Sequence, residues 1–150
     1  QQDEHLARQK VADLFLDTFA VNAHTTCSDA LWAGLPVLTR PGQQFAARVG
    51  ASLLSAMNLP TLIAKDDADY EARALQYAQD PDALLALRSK LMVNRRRTPL
   101  FDTSGYTCNL ESAFDAAFER WRLEQPPAHL TINPPDTRPS SKPSASVAAA

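Results

Sequence analysis

Apolar residues recur along this chain in two patterns, one with the period of an α-helix and one as short uninterrupted runs. The runs are typical of buried strands and lie at residues 14–17, 36–39 and 62–64. Acidic or proline residues open several helical segments, and Gly34 followed by Pro36 closes one of them. The predicted helices are 3–12, 26–34, 45–57, 66–79, 81–96 and 106–122. Four apolar residues at helical spacings within them are expected in the core: Leu31, Trp32, Phe45 and Phe114.

This alternation of strands and helices predicts an α/β fold with a parallel sheet. A complete doubly wound sheet has about five or six strands, whereas only about three are visible in this sequence. We therefore expect the second half of such a sheet, followed by helices. The chain opens on Gln1 rather than Met, which agrees with an expectation that it is part of a longer protein.

The composition changes after residue 123. The last part of the chain mixes proline with Ser and Thr, and six of the eleven prolines lie there. Such a segment buries too little apolar surface to offset the entropy lost on ordering. We expect a folded region at 1–123 and a Pro/Ser-rich tail at 124–150.

Charge and hydrophobicity exclude several classes of function. The formal net charge is -2, which does not favour nucleic acid as a partner. No apolar run approaches the roughly 20 residues that span a bilayer, and no secretory signal opens the chain. The two cysteines, Cys27 and Cys108, have no metal-ligand spacing. These features predict a cytoplasmic protein that contacts no membrane.

A cluster of polar residues follows the first predicted strand and opens the next helix. With Thr26 as the N-cap, Asp29 falls at the position of a variant capping box. The helix start then offers unpaired backbone N–H groups, the hydroxyls of Thr25 and Thr26, and the imidazole of His24. This combination suits a diphosphate, and it follows the carboxyl end of a strand. The alternative is that the Thr pair only caps the helix.

A second candidate lies on the first predicted helix. His5 and Arg8 are three residues apart and share one helix face. An imidazole stacks on a nucleotide base, and a guanidinium donates to its carbonyl oxygens. The alternative is a solvated helix face. No Asp, His or Cys cluster suggests a metal site, so no metal is expected.

Several segments together resemble the protein O-GlcNAc transferase family, which includes eukaryotic nucleocytoplasmic enzymes, bacterial relatives and the plant SPINDLY branch. The similarity covers about residues 3–121. The matching segments are 3–5 (DEH), 11–18 (VADLFLDT), 24–26 (HTT), 29–37 (DALWAGLPV), 48–49 (RV), 63–65 (IAK), 98–103 (TPLFDT) and 106–107 (YT).

The resemblance implies a GT-B glycosyltransferase with two Rossmann-like lobes, of which this chain is the second half of the C-terminal lobe. The nucleotide-sugar is expected to bind that lobe. The implied nucleotide-binding residues are His5 for stacking on uracil, Arg8 for the base edge, Asp29 for the ribose, and His24, Thr25 and Thr26 for the diphosphate.

The implied reaction moves N-acetylglucosamine from UDP-GlcNAc to Ser or Thr hydroxyls of proteins, without a metal or other cofactor. The implied partners are UDP or a UDP-sugar, an acceptor protein, and the rest of the same enzyme. The family's N-terminal lobe, its TPR repeats and its upstream phosphate-binding Gln and Lys have no match here. No catalytic residue is assigned, and the fragment alone is expected to be inactive. Cys27 departs from the glycine expected after the Thr pair, and we interpret it as a tolerated small residue.

Three other functions stay open. The first alternative is a GDP-fucose protein O-fucosyltransferase, as in the SPINDLY branch. The second is a non-catalytic nucleotide-binding interaction domain. A purely structural α/β domain is the third alternative. A preference for UDP over GDP argues against the fucosyltransferase. Loss of nucleotide affinity in a double variant of Thr25 and Thr26 argues against the purely structural domain.

Overall fold

The computed structural model describes residues 2–132 and shows a mixed α/β chain. Its two strands are β1 (Phe15–Leu16) and β2 (Val37–Leu38). Short 3₁₀ helices lie at Phe45–Ala47, Pro60–Leu62 and Pro99–Phe101. The α-helices are α1 (Gln2–Gln9), α2 (Thr25–Ala33), α3 (Val49–Ala56), α4 (Asp67–Gln79), α5 (Pro81–Asn94) and α6 (Thr103–Arg122).

The predicted parallel pairing is confirmed. β1 and β2 are parallel neighbours, with Phe15 opposite Val37 and Leu16 opposite Leu38. The predicted third strand at 62–64 is reduced to a single parallel bridge between Thr39 and Ile63. Pro60 and the 3₁₀ helix that it opens occupy the residues just before this bridge, so the segment is too short for a full strand.

The two acidic helix starts in the middle of the chain are also confirmed. The Asp66 side chain accepts from the Asp69 amide at the start of α4, and the Asp80 side chain accepts from the Ala83 amide at the start of α5. Each bond satisfies a backbone donor that has no partner inside the helix. Sequence alone therefore located these helix starts to within one residue.

The predicted start of α2 is wrong in one respect. His24, not Thr26, occupies the N-cap position, and no side chain accepts a capping bond there. Asp29 does not form a capping box, because its carboxylate lies 3.2 Å from the imidazole Nε2 of His5 on α1. At the other end the prediction holds: Gly34 has a φ of 92°, a left-handed conformation that favours glycine.

The core lies between α2, β2, α3 and α5. Its members are Cys27, Ala30, Leu31, Leu35, Val37, Leu54, Met57, Leu59, Leu62, Leu87 and Leu91. Leu31 was expected in the core and is fully buried, but Trp32, Phe45 and Phe114 were expected there and are 45%, 76% and 65% exposed. Helical spacing shows which positions share a stripe, but it does not show how wide the covered stripe is.

The chain divides into two compact units, Gln1–Thr103 and Ser104–Ala150. The core and all the candidate site residues belong to the first unit. The predicted boundary between residues 123 and 124 stays a prediction, and most of the Pro/Ser-rich tail, residues 133–150, lies outside the described residues. In the described part of the chain, no helix is both long enough and apolar enough to cross a bilayer.

Candidate functional site

The candidate site lies at the carboxyl ends of β1 and β2. One loop runs from Asp17 to α2, and the other runs from Thr39 to the 3₁₀ helix Phe45–Ala47. The two loops meet where the backbone N–H of Asn22 donates to the Ala46 carbonyl at 2.8 Å. Open α/β sheets bind ligands at this edge, because the loops there are held by the strands but not covered by them.

The N-terminus of α2 is presented to solvent at this edge. Thr25 and Thr26 are exposed, and no side chain caps the helix. The first amides of a helix have no intrahelical acceptor, and they form the positive end of its dipole. Two exposed hydroxyls beside these donors can hold an anion. The interpretation of the Thr pair as a simple cap is therefore wrong, because neither side chain caps α2.

His24 is held beside these two residues by the second loop. Its Nε2 lies 3.3 Å from the Ala46 carbonyl oxygen, so that nitrogen donates when it carries the proton. The Phe45 ring stands edge-on to the imidazole, with 6.2 Å between the centroids. Sequence reasoning placed Phe45 in the core, yet it forms an exposed aromatic surface at the site.

The structure brings two of the predicted nucleotide-binding residues together across α1 and α2. His5 and Asp29 form a pair with 3.2 Å between Nε2 and Oδ2. Asp29 follows Thr25 by four residues, so both lie on one face of α2. Arg8 lies one turn after His5 on α1 and is exposed. Asp29 therefore lies between His5 on α1 and Thr25 at the start of α2.

A buried polar network lies beneath the loop that leads into α2. Asp17 accepts from the Thr39 hydroxyl at 2.6 Å and from the Ala23 amide at 2.7 Å. Asn22 donates to the Thr18 carbonyl at 2.7 Å. Sequence reasoning missed these three side chains. The available signal was an aspartate directly at the end of an apolar strand, where a charge has to find partners.

Cys27 faces the core rather than the site. Burial, with a further contribution from the nearby Asp17 charge, raises the pKa of its thiol to about 12. The thiol therefore stays protonated at neutral pH and is not a nucleophile. Its place in the core agrees with the interpretation of Cys27 as a tolerated small residue.

The arrangement offers hydrogen-bond donors and a carboxylate for a ligand rather than a metal-binding cage. Among residues 2–132, no three His, Cys, Asp or Glu side chains lie close enough together to share a metal ion. The expectation that no metal takes part in the reaction stays a prediction.

Sequence comparison decides the family. The family model described as glycosyl transferase family 41 matches residues 1–110, which is more than half of the chain. The chain belongs to glycosyl transferase family 41. This match includes both strands, α1 and α2, so it covers every residue of the candidate site.

Two curated relatives of this family-41 chain are both named as peptide N-acetylglucosaminyltransferases. A UDP-N-acetylglucosamine--peptide N-acetylglucosaminyltransferase of Caenorhabditis elegans is 36% identical over 132 residues, which are 88% of this chain and 12% of that protein. A probable enzyme of the same name, SEC, of Arabidopsis thaliana is 38% identical over 135 residues, covering 87% of this chain and 14% of that protein.

The fold of this family-41 chain is also found in a solved structure. A K341M mutant of the O-GlcNAc transferase of Thermobaculum terrenum superposes with a TM-score of 0.70 at 34% identity. The match covers 79% of this chain and 22% of that one. The chain thus spans about an eighth of the curated relatives and about a fifth of the solved protein.

Proposed function

We propose that this chain binds the uridine diphosphate part of UDP-GlcNAc within a glycosyltransferase that modifies Ser and Thr hydroxyls of proteins. The observation that carries the proposal is the uncapped N-terminus of α2 at the carboxyl ends of two parallel strands. A diphosphate fits that end, because its charge is stabilised by backbone N–H groups and by the helix dipole. The names of the relatives supply the donor sugar and the class of acceptor.

The order of the site residues supports uridine diphosphate in particular. Base, ribose and diphosphate follow one another in the nucleotide, and His5, Asp29 and the Thr pair follow one another along α1 and α2. In this arrangement His5 stacks on the base, with Arg8 at its edge, and Asp29 accepts from ribose hydroxyls. The pair that His5 and Asp29 now form keeps both side chains in place until the nucleotide bonds with Asp29.

The proposed chemistry is displacement at the anomeric carbon. The acceptor oxygen forms a bond to that carbon while the bond to the diphosphate breaks, and the acceptor proton passes to a base outside this chain. Negative charge develops on the leaving diphosphate. The N-terminus of α2, the hydroxyls of Thr25 and Thr26, and His24 stabilise this charge where it appears.

The rest of the enzyme is a necessary part of this proposal. Beyond β2, β1 pairs with no strand among residues 2–132, and its Leu16 is 54% exposed. An open cavity of ≈ 730 Å³ lies beside it, lined mainly by apolar side chains that include Leu14, Tyr77 and Leu84. An unpaired edge beside apolar surface is a site for a further strand. We place the missing half of a Rossmann-like lobe there, joined to an N-terminal lobe and TPR repeats in a cytoplasmic protein.

The proposal is tested by calorimetric titration of the full-length protein with UDP, GDP and UDP-GlcNAc. Binding of UDP and UDP-GlcNAc with weak binding of GDP supports it. A preference for GDP favours the alternative of a GDP-fucose protein O-fucosyltransferase. Normal UDP binding without transfer to any protein acceptor favours a non-catalytic interaction domain. Absence of binding to all three ligands in a folded sample contradicts the proposal.

Two histidine variants test which part of the nucleotide each side chain holds. We expect His24→Ala to weaken UDP binding roughly tenfold and uridine binding much less, because a hydrogen bond to a charged phosphate is lost. His5→Ala should weaken UDP and uridine about equally, since both ligands carry the base. Titration of each variant with both ligands measures this difference. If the loss of UDP affinity relative to the loss of uridine affinity were the same in the two variants, the assignment would be overturned.

A further inference from the structure

The buried polar side chains of the described chain are concentrated beneath one loop. Among residues 2–132, the buried polar or charged residues are Asp17, Asn22 and Thr39. All three contact the loop of residues 18–23 or the strand ends that support it. Burying polar groups is costly unless they are hydrogen-bonded. Their concentration at one place therefore requires an explanation beyond packing.

Asp17 connects both strand ends to the start of the site. Its Oδ1 accepts from the amides of Thr18 at 2.9 Å and Ala23 at 2.7 Å. Its Oδ2 accepts from the Thr39 hydroxyl at 2.6 Å. Ala23 directly precedes His24, so this carboxylate holds the backbone one residue before the N-cap of α2. Charge-assisted bonds of this length are among the strong ones.

Asn22 closes the other side of the loop. Its Nδ2 donates to the Thr18 carbonyl at 2.7 Å, and its Oδ1 accepts from the Gly50 amide at 3.3 Å. The loop is thereby tied to the start of α3 as well as to β2. A Cβ at Gly50 would lie 2.6 Å from Asp17 Oδ2 and 2.8 Å from Thr39 Oγ1. The network therefore leaves no room for a side chain at that position.

We propose that Asp17, Thr39 and Asn22 are positioning residues that hold His24, Thr25 and Thr26 in the geometry that binds the diphosphate. This inference rests on the proposed function. A carboxylate repels a diphosphate, so Asp17 does not act by contacting it. It acts through the backbone: a site built on a loop needs buried bonds beneath it to keep its donors within a fraction of an ångström.

The test compares matched variants at two positions in the full-length protein. Thr39→Val removes the hydroxyl at nearly constant shape, and Thr39→Ser keeps it. Asp17→Ala removes all three bonds. Asp17→Asn keeps an oxygen that accepts from the two backbone amides, and its NH₂ donates to the Thr39 hydroxyl oxygen, which then accepts instead of donating. We expect Thr39→Val and Asp17→Ala to weaken UDP binding roughly tenfold or more. Thr39→Ser and Asp17→Asn should stay within about threefold of wild type.

Uridine binding and hydrogen exchange separate positioning from general damage. Uridine affinity should change less than about twofold in Thr39→Val, because the bonds that hold α1 are untouched. Amides of residues 18–27 should exchange faster in Asp17→Ala and Thr39→Val, while those of α5 should not. Equal loss of UDP and uridine affinity, or unchanged UDP affinity in a folded Thr39→Val protein, overturns the inference. If the wild-type protein does not bind UDP, the proposed function is wrong. If it binds UDP but the variants do not behave as expected, only the positioning role is wrong.

Discussion

Replacing Thr25 and Thr26 together by alanine should weaken UDP binding roughly 10- to 100-fold and leave the fold intact. Each hydroxyl is expected to donate to a charged phosphate oxygen, and such bonds contribute about 1.5–3 kcal/mol. Neither side chain caps α2 or lies in the core, so the folded state loses no contact that it depends on. Alanine also has the highest helix propensity, so the first turn of α2 is retained.

Calorimetry measures the affinity in this experiment, and circular dichroism with thermal unfolding reports the fold. Thr61→Ala is a matched control, because it removes the hydroxyl of an exposed Thr that lies on the 3₁₀ helix Pro60–Leu62 and belongs to neither loop of the site. It should leave UDP affinity within about twofold. A double variant that unfolds, or one that binds UDP normally, would show that the Thr pair does not hold the diphosphate.

Leu31→Ala should lower the free energy of unfolding by about 2–5 kcal/mol, the largest stability effect that we expect from one substitution. Leu31 is fully buried on the inner face of α2, within the cluster that joins α2 to β2, α3 and α5. The change removes buried apolar surface and leaves a cavity that the neighbouring side chains fill only in part. Since α2 carries the site, UDP affinity should fall with stability.

Urea unfolding of wild type and variants in the same protein background measures this loss. Leu75→Ala is the control, because Leu75 lies on α4 and is 52% exposed, so its loss should cost less than about 1 kcal/mol. Similar costs at the two positions would contradict the assignment of the core. Leu31→Met, which conserves volume, should restore most of the stability.

Local signals predicted much of the fold. Asp66 and Asp80 mark helix starts because an aspartate side chain satisfies the amides of its own helix. Gly34 marks a helix end because the left-handed conformation favours glycine. The apolar runs at β1 and β2 predicted buried parallel strands, and these strands pair as expected. Each of these features depends on residues within a few positions of one another.

The candidate site was only partly visible in the sequence. His24, Thr25 and Thr26 are adjacent in the chain, so their position between a strand and a helix was enough to indicate an anion site. Asp29 was interpreted as part of a capping box, because nothing local shows that His5, from another helix, lies 3.2 Å away. Phe45 was placed in the core because helical spacing does not reveal that its 3₁₀ helix turns it to solvent.

By itself, the sequence determined the starts of α4 and α5, the end of α2, the α/β class, and the placement of a polar loop after a buried strand. These follow from backbone chemistry and from apolar periodicity, which act over a few residues. Only the tertiary structure decided that Asp17, Asn22 and Thr39 form one network, and that His5 pairs with Asp29. Such contacts join residues that are more than twenty positions apart in the chain, and chain folding alone brings their polar atoms within hydrogen-bonding distance.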